Sequence, residues 1–309
     1  MKAKHHTWED SEGVHIYTYE WQPEFEKPKA VVQISHGMAE TAERYERLAQ
    51  TLTNHGYIVI ANDHRGHGKT AGAIDKVGKL GPDSFNRMVK DMAELTDRIS
   101  QAHSGLPIFL LGHSMGSFLT QQYMYRFPGK VSGIILSGSN GKPSSALGFG
   151  AKIAAFEAKL RGENYRSKLL NSLTFGAYDK AFRPSRSNFD WLSRDTAEVD
   201  AYLNNPYCGA VFTASFFRDF FKGLQEIHLD ENMRKIPKNL PIYVFSGEMD
   251  PVGGMGRGVR QLLRKYHELG LNQVSSTLYP EGRHEMLNEL NREEVMSDLL
   301  AWLEMRVRA

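Results

Sequence analysis

Ile108-Phe109-Leu110-Leu111-Gly112-His113-Ser114-Met115-Gly116 is the stretch that decides the reading of this 309-residue chain. The four apolar residues after Pro107 read as a buried strand. Residues 115–127 read as a helix, stopped by Pro128-Gly129. Between them stands G-x-S-x-G, with no room for a loop. A turn that sharp strains the backbone of its central residue and crowds its neighbours, so the flanking positions must lack side chains, as Gly112 and Gly116 do. Ser114 is then lifted to the end of a strand and to the positive end of a new helix. Five letters alone are a weak signal; between such a strand and such a helix they mark a nucleophile.

Outward from this turn the chain alternates strand with helix. Residues 13–21 alternate apolar and polar and read as an exposed antiparallel strand. Residues 30–35 are a buried strand ending at His36-Gly37, 43–55 an amphipathic helix before Gly56, and 57–61 the next buried strand. Ser84 is placed to cap a long helix, and 131–136 is another strand. After an interruption the pattern resumes with a strand at 241–245, a helix at 257–269, a strand at 274–279 and a closing helix to about 307. This alternation predicts an α/β fold with a mostly parallel central sheet flanked by helices, its chemistry at the carboxyl ends of the strands. The interruption divides the chain into one domain made of residues 1–139 and 225–309 and a helical insertion at 140–224, expected to sit over the sheet edge as a cap.

Hydrophobic residues are 41% of the chain and charged residues 24%, with a net charge of +2, which describes a globular protein and points to no nucleic-acid partner. A single cysteine, Cys208, rules out an intramolecular disulfide and suits a reducing compartment. The first residues lack the apolar core of a secretion signal, and no run of about 18 apolar residues exists to span a membrane, so a cytoplasmic location is expected. His64-x-x-His67 lacks further ligand spacing, so neither a metal nor a cofactor is expected. Gly253-Gly254-Met255-Gly256 lacks the dinucleotide-binding pattern.

A serine becomes nucleophilic only when a base takes its proton. Behind such an elbow the partners follow in the order acid, then histidine. Of twelve histidines, His36, His64, His67 and His113 precede or adjoin Ser114; His228 falls near the end of the insertion and His267 lies within a helix. His284 follows the strand at 274–279 on the loop Pro280-Glu281-Gly282-Arg283 and is the expected base. The loop after the strand at 241–245 offers two acids, Glu248 and Asp250. Pro251 stiffens the turn just beyond Asp250, which is the expected partner of the imidazole. Developing negative charge needs two donors: the backbone N–H of Met115, and that of Met38 after His36-Gly37.

The insertion is rich in aromatics. Residues 141–224 hold 15 of the 33 in the chain, with 12 Lys or Arg against 8 Asp or Glu. Two readings stand together: a small helical core, and an apolar tunnel for an acyl chain, with Phe149, Phe175, Phe212 and Phe216 as candidate substrate contacts. Residues 212–221 suggest an amphipathic helix that touches a membrane surface transiently, or one that packs inward.

Taken together, His36-Gly37-Met38-Ala39-Glu40 with Arg44-Tyr45, Asp63-His64-Arg65-Gly66-His67-Gly68, Gly112 to Gly116, Ser246 to Gly253 and Arg283 to Glu289 resemble the monoacylglycerol lipase and lysophospholipase group of α/β-hydrolases, also called serine-aminopeptidase-like. Leu192-Ser193-Arg194-Asp195 and Glu198-Val199-Asp200 resemble its cap signature. The resemblance implies the α/β-hydrolase fold, a triad of Ser114, Asp250 and His284, oxyanion donors at Met38 and Met115, and hydrolysis of a small acyl ester, here a monoacyl lipid, through an acyl-serine. Two alternatives carry other expectations. An aminopeptidase of the same group needs an acid such as Glu157, Glu163 or Asp179 facing the nucleophile. A non-catalytic binding protein usually lacks a triad member. Epoxide hydrolases and dehalogenases place Asp at the elbow and are disfavoured.

Overall fold

The computed structural model describes residues 1–24, 27–142 and 146–308. Eight strands form one sheet: β1 (Lys2–Glu9), β2 (His15–Gln22), β3 (Ala30–Ser35), β4 (Tyr57–Asn62), β5 (Ile108–His113), β6 (Gly133–Ser137), β7 (Ile242–Gly247) and β8 (Val274–Tyr279). Their order is β1-β2-β4-β3-β5-β6-β7-β8. β1 and β2 run antiparallel and β3 to β8 run parallel. Strands β3 to β7 are buried along their whole length. That is why they read as unbroken apolar runs rather than as alternation.

The chain leaves β3 toward β4 on one side and reaches β5 on the other. Loops after β3 and β5 therefore part at the carboxyl edge and leave a crevice between them. α1 (Glu46–Asn54), α2 (Ser84–Ala102), α3 (Met115–Arg126), α9 (Arg257–Glu268) and α10 (Arg292–Val307) flank the sheet. Between β6 and β7 lie α4 (Ala146–Arg161), α5 (Lys168–Phe175), α6 (Thr196–Asn204), α7 (Ala214–Glu226) and the single-turn α8 (Asp230–Met233). The fold class is that of the α/β-hydrolases.

Two local readings change. Residues 2–9 form a strand the sequence does not announce, because seven of its eight residues, all but Trp8, are exposed, on both faces, and leave no alternation to read. Arg65 fastens this hairpin to α2, bonding Asp10 at 2.8 Å and Asp91 at 2.7 Å. Ser84 does not cap α2 but is its first residue. Asp83 takes the cap position at φ 54°, and Asp219 of α7 accepts the Ser84 N–H at 3.0 Å. A carboxylate from the insertion thus sits at the positive end of the helix.

Candidate active site

β5 ends at His113 and α3 begins at Met115, so Ser114 alone makes the turn, at φ 52° and ψ −118°. A Cβ at Gly116 would lie 2.0 Å from the Ser35 carbonyl oxygen, so no side chain fits there. The turn is held from below: the Ser114 N–H donates to the Ser137 carbonyl at 2.9 Å. Among the described residues Ser114 Oγ has no hydrogen-bond partner, and Ser114 lines a cavity beneath the insertion.

The same cavity wall carries His284. Its Nδ1 lies 3.0 Å from each carboxylate oxygen of Asp250. Asp250 is fully buried and further fixed by the Val252 N–H at 2.8 Å. Burial alone would push the imidazole pKa down; the Asp250 charge and hydrogen bond, with smaller contributions from Glu285 and Glu40, leave it raised above 6.5. Glu248, the other acid of the loop, pairs instead with Arg260 on the surface. His113 touches the His284 ring at 4.8 Å between centroids, yet burial lowers its own pKa to about 4, so it stays neutral beside the base.

The loop after β3 brings Met38 to the opposite wall. Neither the Met38 nor the Met115 N–H has an acceptor among the described residues, and both residues line the cavity with Ser114. The preceding Gly37 passes so close that its Cβ would meet Ser114 Cβ at 3.2 Å. Glu40 fixes this loop. It accepts from the Gly37 N–H at 2.5 Å and the Tyr45 hydroxyl at 2.9 Å, and pairs with Arg44 at 2.7 Å. Arg44 also grips Glu285, next to the base, through two bonds of 2.7 and 2.6 Å. One buried guanidinium therefore ties the Met38 loop to the His284 loop. Sequence reading missed this clamp: Glu40 and Arg44 stand one helical turn apart, but Glu285 lies 241 residues beyond Arg44.

The cavity is about 500 Å³, within the range of small-molecule sites. Apolar side chains of the insertion, among them Leu147, Ile153, Leu170, Phe220 and Phe221, line most of it. Phe149 and Phe175 do reach it. Phe212 and Phe216 do not. Both are fully buried, packed 4.5 Å ring to ring, with Phe212 also against His67. Phe212 precedes α7 and Phe216 lies in its first turn, and both belong to the core cluster rather than to the cavity lining, so these two candidate contacts are corrected to core residues. The same burial removes residues 212–221 as a membrane-facing surface. Exposed apolar side chains lie instead on α4, where Phe149, Phe156 and Leu160 are 65–69% exposed, and on α5 at Leu169 and Leu173.

None of the acids considered for an ammonium group lines the cavity. Glu157 accepts from Ser167, Glu163 pairs with Arg218 at 2.8 Å, and Asp179 accepts from Ser185 at 2.7 Å. His36, His64 and His67 pack ring against ring beneath the Met38 loop, bonded to backbone and to Ser35.

Residues 26–291 match the family model described as serine aminopeptidase, S33. The chain belongs to this family. A monoacylglycerol lipase of Mycolicibacterium smegmatis is 29% identical over 94% of this chain and 93% of its own. Phospholipase YtpA of Bacillus subtilis is 32% identical over 81% of this chain and 92% of its own. Among solved structures, a highly thermostable carboxyl esterase from Bacillus coagulans, in complex with glycerol, superposes with a TM-score of 0.91 at 26% identity and covers 99% of both chains. Among the described residues no helix is long and apolar enough to cross a membrane.

Proposed function

We propose that the protein is a carboxylic ester hydrolase acting on monoacyl lipids through an acyl-serine. Its catalytic domain would comprise residues 1–139 and 225–309, with residues 140–224 as a cap. The observation that carries this reading is one mostly apolar cavity whose wall presents an unpaired serine on a strained turn, two unpartnered backbone N–H groups and a histidine bonded to a buried aspartate. The names of the monoacylglycerol lipase and phospholipase relatives point the same way.

In this reading Ser114 Oγ attacks the ester carbonyl carbon while His284 takes its proton. The carbonyl oxygen becomes an oxyanion received by the N–H groups of Met38 and Met115, whose donor capacity is otherwise unspent. Asp250 stabilises the imidazolium so formed. The C–O bond breaks, the alcohol leaves with the proton from His284, and water repeats the sequence to release the fatty acid and free Ser114. The apolar lining accepts one acyl chain. The exposed side chains of α4 and α5 beside it would rest transiently on the lipid surface that supplies the substrate. The single cysteine suits a cytoplasmic setting.

Hydrolysis of mono-, di- and triacylglycerols of one acyl length tests the substrate class. The monoacyl compound should be turned over at least tenfold faster; equal rates on all three would contradict it.

A further inference from the structure

Trp191 belongs to the insertion, yet its ring lies against the proposed base: the indole and His284 centroids are 5.1 Å apart, tilted by 39°. The ring is 3% exposed, lines the cavity, and is braced by Tyr178 at 5.0 Å and Phe175 at 6.1 Å. Its Nε1–H has no partner among the described residues, so no hydrogen bond explains its placement. Main chain fixes it there. The His284 N–H donates to the Trp191 carbonyl at 3.4 Å and the Glu285 N–H to the Leu192 carbonyl at 2.7 Å. Ser193 Oγ donates to the Asn288 carbonyl at 2.8 Å, and Glu289 accepts from the backbone N–H groups of Arg194 and Arg283, each at 3.0 Å. The segment around Trp191 is therefore tied to the histidine loop.

An indole face is the strongest side-chain π partner for a cation within about 6 Å, and more so where water is excluded. We propose that Trp191 is a positioning residue that stabilises the imidazolium of His284 through its π face, so that the insertion contributes to the base as well as to the pocket. This rests on the reading of His284 as base. The other groups facing His284 are Asp250 from the loop after β7, His113 from β5, Glu285 from its own loop, and Glu40, which Arg44 partly neutralises. All of these remain in a Trp191 variant, so the indole's share is separable.

The test is the pH profile of kcat/KM for a soluble p-nitrophenyl ester together with tryptophan fluorescence. Trp191→Leu should move the acid limb down by about one pH unit and lower the plateau by up to about tenfold, with Trp191→Phe in between. Protonated imidazole quenches a neighbouring indole, so wild-type emission should titrate at the same pH as the acid limb. That titration should vanish in Trp191→Phe and in His284→Gln. An unmoved limb, or a titration that survives Trp191→Phe, would overturn the proposal. If Trp191→Leu fails to fold, the acid limb of Trp191→Phe decides the matter, and the fluorescence titration, which needs no turnover, still reads the protonation of His284 beside the indole if Ser114 proves not to be the nucleophile.

Discussion

Arg44→Met removes the guanidinium between the Met38 loop and the His284 loop while keeping much of its length. Side-chain exposure is 11% for Arg44, 4% for Glu40 and 6% for Glu285, so one cation holds two carboxylates largely away from water. Glu40 would keep the Gly37 N–H and the Tyr45 hydroxyl, and Glu285 only Asn288 Nδ2 at 2.9 Å. Breaking a buried pair in this way costs about 3–5 kcal/mol, a large part of the roughly 5–15 kcal/mol that holds a domain together. The Met38 N–H would lose its fixed aim, for which about a hundredfold in kcat is the scale. The pH dependence carries a sign. Burial would raise the Glu285 pKa, but Arg44, through charge and hydrogen bonds, holds it below 4.5, at about 2. Its contribution is therefore present above pH 4.5 and is lost as the pH falls toward 2. Without Arg44 burial prevails, the carboxyl prefers its neutral form, and the variant's deficit should shrink on acidification from pH 7 to pH 5. Urea unfolding at both pH values, with kcat on a soluble ester, measures all three effects. A variant with the wild-type urea midpoint and kcat within twofold would refute the clamp.

Asp250→Asn should lower kcat by about 10³–10⁴, whereas Glu248→Gln, at a surface pair with Arg260, should change activity and stability by less than about 0.5 kcal/mol; matching losses in both variants would undo the assignment of the acid. Burial depresses His36, His113 and His228 to about 4, His67 to about 3 and His64 well below 6.5, so the unfolded chain binds up to five more protons there as the pH falls from 6.5. Burial raises Asp63 to about 6 and Asp91 to about 7, so the folded chain holds up to two more there. The net of up to three protons should cost up to about 4 kcal/mol per pH unit on descending from pH 6 to 5, read as a falling urea midpoint; a flat midpoint would contradict it. Phe156→Ser with Leu160→Ser should leave hydrolysis of a soluble short-chain ester within about twofold while slowing hydrolysis of vesicle-borne monoacylglycerol several-fold, and equal effects on both substrates would count against docking through α4.

Most of the fold was legible because it rests on short-range rules. Strands buried on both faces read as apolar runs, and the strand–Ser114–helix junction carries its own geometry. Asp250 and His284 could be picked out because topology places the loops after β7 and β8 at the same edge as Ser114. What was hidden depends on contacts far apart in sequence. The first strand shows no alternation because both its faces are wet. Phe212 and Phe216 look like Phe175 in sequence, and only the packing of α7 and the segment before it decides that they turn inward. The partnership of Arg44 with Glu285 and the approach of Trp191 to His284 exist only once the insertion has folded back over the sheet.

Labelling with a fluorophosphonate probe followed by peptide mapping reads out whether Ser114 is the nucleophile. A single modified peptide carrying Ser114 is expected, with no labelling and no p-nitrophenyl ester turnover in a folded Ser114→Ala variant, and slow labelling in His284→Gln. Modification at another serine, or ester turnover surviving in Ser114→Ala, would contradict that role.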